Sequence, residues 1–61
     1  MRTSYEVRSG RRAVSVQIAG SAQEAVIEYL RSMGCRADEL VRLGKNSVAW
    51  RGSVYKAEPA A

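Results

Sequence analysis

Two features of this chain carry ready chemistry: a single thiol, Cys35, and an adjacent pair of carboxylates, Asp38 and Glu39. There is no histidine anywhere in the 61 residues. One cysteine without histidine supplies neither the nucleophile–base pair of a Cys-His or Ser-His-Asp centre nor the ligands of a structural zinc. Cys35 has no second cysteine to bridge to, which points either to a reducing compartment or simply to a small buried apolar side chain, and the second is the expectation. Neighbouring carboxylates point apart on a strand and are solvated in a loop, so Asp38 and Glu39 do not read as an acid–base or metal pair. Glu24 and Glu28 stand four residues apart, but Glu24 is better placed as a helix-capping partner. Gly10, Gly20, Gly34, Gly44 and Gly52 are scattered as punctuation, not clustered as a phosphate cradle. These residues predict no catalytic centre, no metal and no cofactor.

The remaining functional signal is charge. Ten Lys and Arg residues against six Asp and Glu give a net charge of +4. The excess is divided unevenly: +3 over residues 1–20, −2 over residues 21–41 and +3 over residues 42–61. Basic segments on either side of an acidic one suggest an acidic partner, most often nucleic acid. Arg8, Arg11, Arg12, Arg42, Lys45, Arg51 and Tyr55 are the candidate nucleic-acid-binding residues. Guanidinium groups pair bidentately with phosphate, and an exposed tyrosine stacks on an unpaired base.

These residues need a scaffold, and the best-marked part of it is the helix over residues 21–34. Ser21 is an N-cap residue, with Glu24 three positions on as its capping-box partner. Ala22, Ala25, Val26, Tyr29, Leu30 and Met33 repeat with helical period on one face. Gly34 stands where a left-handed C′ residue belongs, and Cys35 follows at C″, placed to touch Leu30.

The flanking segments read as strands. Residues 3–8 place Tyr5 and Val7 on one face, and residues 13–19 place Val14, Val16 and Ile18 on one face with Ser15 and Gln17 on the other. Ser9-Gly10-Arg11-Arg12 is the turn between them, making a hairpin. Residues 39–43 give a weaker strand, and Gly44-Lys45-Asn46-Ser47 a second turn. Residues 48–57 form a last strand with Val48, Trp50 and Val54 on one face and Ala49, Arg51, Ser53, Tyr55 and Ala57 on the other. Gly52 within it marks a bulge or a close approach of the helix, and a bulge exchanges Val54 and Tyr55 between faces.

The expected architecture is one α+β domain over residues 1–57, with a flexible tail at 58–61. In chain order it is β-β-α-β-β, a four-stranded antiparallel sheet with one helix packed on one face. Its core is expected to hold Tyr5, Val7, Val14, Val16, Ile18, Val41, Leu43, Val48, Trp50 and Val54 beneath the apolar helix face. The face away from the helix then carries Arg8, Ser15, Gln17, Arg42, Arg51, Ser53 and Tyr55, with Arg11, Arg12 and Lys45 at the hairpin tips.

Glu24-Ala25-Val26, Leu30, Gly34 and Asp38-Glu39-Leu40 resemble the helix-to-strand stretch of the small N-terminal domain of Jag-type bacterial RNA-binding proteins, over about a third of the chain. The Gly- and Phe-containing basic motif that follows that stretch in the family is replaced by Lys45-Asn46-Ser47-Val48. The resemblance therefore assigns no functional residue.

Two functions fit these patterns. The first is a non-catalytic nucleic-acid-binding module, for RNA or single-stranded DNA, using the open sheet face and hairpin tips. The second is a protein-interaction or structural subunit, which could dimerise through sheet edges or faces, with Ile27 at the edge of the helix's apolar stripe and Leu40 out of step in its strand as lone apolar surface residues. The N-terminus has no apolar leader region and no apolar run approaches the ~20 residues of a membrane span. A cytoplasmic location without membrane partners is the expectation.

Overall fold

The computed structural model describes residues 2–60. Its elements are β1 (Thr3–Ser9), β2 (Arg12–Ala19), α1 (Ala22–Ser32), β3 (Val41–Gly44), β4 (Ser47–Trp50) and β5 (Ser53–Pro59). The strands form one antiparallel sheet in the order β2-β1-β5-β4-β3, and α1 packs across one face against β5, β2, β4 and β1. The class is α+β as expected, with five strands where four were predicted. Among the described residues, no helix is long and apolar enough to cross a membrane.

The helix follows its sequence signals at both ends. Ser21 Oγ accepts from the Glu24 N–H at 3.2 Å, and Glu24 Oε2 accepts from the Gly20 N–H at 3.2 Å. The first bond satisfies a donor that a helix start leaves without an intrahelical partner, and the second ties the residue before the cap to the first turn. At the other end Gly34 has φ 95°, its N–H bonds the Arg31 carbonyl, and the Cys35 N–H bonds the Leu30 carbonyl, each at 3.0 Å. That pair of bonds is a Schellman close, and it draws Cys35 into the core beside Leu30.

The extra strand comes from a turn hidden inside an apparently continuous run. Arg51 and Gly52 have φ of 50° and 80°, and Trp50 pairs with Ser53 across them. Two successive positive φ values are the mark of a type I′ hairpin, whose twist matches the flanking strands. The bulge expected near Gly52 is therefore a reversal of the chain. Its effect on facing is the one a bulge would have: Tyr55 pairs with Val48 on the helix side, and Val54 pairs with Ala49 on the open side.

A true bulge lies in the first hairpin. Ser9 pairs with Arg12 and Arg8 with Ala13, but Val7 pairs with Ser15, leaving Val14 as an extra residue on β2. Continued without it, the hairpin would set Val7 against Val14, Tyr5 against Val16 and Thr3 against Ile18. The observed partners are Ser15, Gln17 and Ala19 instead. Because side chains alternate with a period of two, this one-residue shift sends Val16 and Ile18 to the open face and Ser15, Gln17 and Ala19 to the helix side. Val14 itself stays against the core.

The core is correspondingly smaller than predicted. Val7, Val26, Leu30 and Val48 are its largest fully buried side chains, joined by Trp50, Cys35 and the three alanines Ala19, Ala25 and Ala57. Tyr5, Ile27, Tyr29, Leu40 and Tyr55 pack around it, so Ile27 and Leu40 help cover the core instead of standing free. Val16, Ile18, Met33, Val41, Leu43 and Val54 were expected inside and are exposed.

The third strand also begins later than predicted, at Val41. Glu39 closes a turn before it, donating its N–H to the Arg36 carbonyl at 2.9 Å and accepting the Arg36 N–H on its carboxylate at 3.0 Å. The last strand runs past residue 57, where the tail was expected to begin. Glu58 and Pro59 pair with Glu6 and Tyr5, and the Ala60 N–H bonds the Ser4 carbonyl at 2.9 Å. Residue 61 of the predicted tail lies outside the described residues.

Candidate interaction surface

Residues directly opposite one another in an antiparallel sheet share a face. This rule, applied from the buried Val7, Val48 and Ala57, places the candidate side chains that lie in strands. The row Arg12, Ser9, Tyr55, Val48, Arg42 runs across all five strands on the helix side. The neighbouring row, Ala13, Arg8, Lys56, Ser47, Gly44, lies on the open side.

The seven residues predicted to bind nucleic acid do not share one surface. Arg8 alone among them lies on the open face, where its Nη1 bonds Glu6 Oε1 at 2.6 Å and its Nη2 donates to the Arg11 carbonyl at 3.0 Å. Arg11 and Arg12 stand at the β1–β2 turn. Arg51 stands at the β4–β5 turn, which the pairing of Ser9 with Tyr55 brings to the same end of the sheet. Its guanidinium lies over the Trp50 ring, 4.7 Å from the centroid. Lys45 occupies the β3–β4 turn at the opposite end. Arg42 faces the helix side and lines a groove with Glu24, Ile27 and Glu28.

Tyr55 is the largest departure from the expected face. The Arg51–Gly52 reversal turns it under the helix, where its ring centroid lies 6.1 Å from that of Tyr29 at an interplanar angle of 52°. Ser53 goes with it, and the β2 bulge removes Ser15 and Gln17 from the open face in the same way.

What the open face holds instead is aliphatic. Val16 is 62% exposed, Ile18 60%, Val41 57% and Val54 46%. Val54, Ala49 and Val41 form one row across β5, β4 and β3, and Val16 and Ile18 lie along β2 at the other edge. Between these groups, Arg8 and Lys56 form a cationic row, and Glu6 and Glu58 a parallel anionic one. The four charges cancel. Pattern reading misses this surface because nothing at Val14 marks a bulge: it is a β-branched residue in good strand sequence.

The chemistry-bearing residues stay apart from this face. Burial pushes the Cys35 thiol above its ordinary range, and the nearby carboxylates of Glu39 and Asp38 push it the same way against the opposing charge of Arg51. A buried thiol held in its protonated form is a poor nucleophile. Among the described residues, no three His, Cys, Asp or Glu side chains come together as a metal site would require. Comparisons with protein-family models, with curated proteins and with solved structures give no match for this chain.

Proposed function

We propose that this chain is a non-catalytic protein-interaction module that binds through the open face of its sheet. The observation that carries this reading is the exposure of Val16, Ile18, Val41 and Val54 on that one face. Large aliphatic side chains exposed together on one face, here in two groups flanking a charged centre, mark a protein-binding surface. The balance of Arg8 and Lys56 against Glu6 and Glu58 supports a protein partner over a polyanion, which the two carboxylates would repel.

A photo-activated cross-linker at Ala49, on the open face, tests this against the same group at Ser32 on the exposed side of α1. In a lysate of the producing cells, the reading predicts protein adducts at Ala49 and few at Ser32. Equal yields at both sites, or none at Ala49, would refute it.

One observation favours nucleic acid as a second reading: Arg11, Arg12 and Arg51 stand at one end of the sheet, on two neighbouring hairpin turns. RNA or single-stranded DNA would then be held through its phosphates at that end, beside the open face. Three phosphate contacts predict a log–log salt slope of about −2 to −3. Binding that is absent at low salt, or unchanged when these three arginines are replaced by glutamine, excludes this reading.

A further inference from the structure

We infer that the occupant of the open face is a second copy of this chain, packed face to face about a two-fold axis. The inference rests on the reading of that face as a protein-binding surface and names its partner. It starts from the two charged rows. Lys56 lies directly opposite Arg8, and Glu58 directly opposite Glu6, so like charges face each other across β1 and β5. Such pairs are destabilising unless something compensates them. The Arg8–Glu6 bridge compensates one side. Among the described residues, Lys56 and Glu58 have no ion-pair partner.

A second copy supplies the missing partners. Consider a two-fold axis lying between the two molecules, running across the strands and midway between the cationic and anionic rows. It sets Arg8 and Lys56 of each copy over Glu6 and Glu58 of the other. Lys56 then meets Glu58 of the second copy, and Glu58 meets Lys56, as an isologous contact requires. The face is therefore complementary to itself in charge.

The size of the face fits the same occupant. The molecule measures 29 × 24 × 20 Å, so a face bounded by the two longer dimensions covers at most about 700 Å². Stable, specific interfaces bury about 600–1,000 Å² per partner. The contact must use nearly the whole face, including the aliphatic groups on both flanks. Val16 and Ile18 on one side and Val54, Ala49 and Val41 on the other would shield the central charges from water.

The experiment is sedimentation equilibrium on the wild type, on Lys56→Glu, on Glu58→Lys, and on an equimolar mixture of the two variants. Both positions are exposed, and circular dichroism checks that each variant folds. The wild type is expected to dimerise, and each variant alone to dimerise about tenfold or more weakly, because like charges then meet across the axis. The mixture is expected to recover association, since two carboxylates of one variant then oppose two ammonium groups of the other. A wild type that stays monomeric at millimolar concentration, or a mixture no tighter than either variant, overturns the inference. The Ala49 cross-linker separates the two failures. A heterologous protein adduct with a monomeric wild type removes the second copy and leaves the protein-binding face, whereas no protein adduct removes both.

Discussion

Val7 is paired with Ser15 while its neighbour Arg8 is paired with Ala13, and Val14, between those two partners, has no opposite residue on β1. This single extra residue decides which side chains of β2 lie under the helix and which lie on the open face. The place of Val16 and Ile18 on that face depends on it.

The exposure of Val16 and Ile18 predicts that they contribute little to the stability of a single copy. A Val16→Thr/Ile18→Thr variant should unfold in urea within about 0.5 kcal/mol of the wild type, measured at concentrations too low for association. Leu30→Ala, which empties the centre of the core, should cost about 2–5 kcal/mol. In so small a domain that is enough to unfold much of the population. A large cost for the threonine pair would mean that both residues are buried.

The left-handed residues predict a second result. Gly34 and Gly52 have φ of 95° and 80°, and a Cβ at either position meets nothing within 4 Å. Alanine there meets conformational strain without a clash, costing about 1–2 kcal/mol at each site. Thermal unfolding of Gly34→Ala and Gly52→Ala should show similar losses. A neutral Gly52→Ala would contradict the type I′ turn and, with it, the placement of Tyr55 under the helix.

Capping predicts a third. Ser21→Ala removes the acceptor for the Glu24 N–H and should cost about 1 kcal/mol, with Ser21→Asp retaining most of the stability. Glu24→Gln keeps an acceptor for the Gly20 N–H and should be milder than Glu24→Ala. Denaturant titration of the four variants gives the ranking directly.

The Cys35 thiol predicts a dependence on pH. Its folded pKa is raised by burial and by Glu39, so the unfolded chain ionises first. The corresponding stability is complete below the ordinary thiol pKa and declines as pH rises through it toward the folded value. Stability should therefore fall less steeply on the alkaline side in Cys35→Ala than in the wild type. The native thiol should also react with a disulfide reagent far more slowly than the denatured one, and fast native labelling would contradict its burial.

The parts of the fold written in local signals were legible in the sequence. Ser21, Glu24, Gly34 and Cys35 fix the helix ends through bonds spanning a few residues. Gly10 likewise supplies the positive φ, 63°, at the first turn. The two features that rearranged the faces lack such marks. Arg51 adopts a left-handed conformation that arginine rarely does, its guanidinium lying over Trp50, and strands of matching alternation on either side disguise the turn. Val14 is excluded from pairing only by how β1 and β2 settle as a whole. The candidate surface changed with them. Charge counting located the basic segments, but not the aliphatic face between them, which exists only once the register is known.

The register of the first hairpin is the most direct test of this account, and cross-strand nuclear Overhauser effects read it residue by residue. The observed pairing predicts contacts of Val7 with Ser15, Tyr5 with Gln17 and Glu6 with Val16. These lie within one chain, so they persist whether or not two copies associate. Contacts of Val7 with Val14 and Tyr5 with Val16 would contradict the account, because they would return Val16 and Ile18 to the core and leave β2 no aliphatic face to offer a partner.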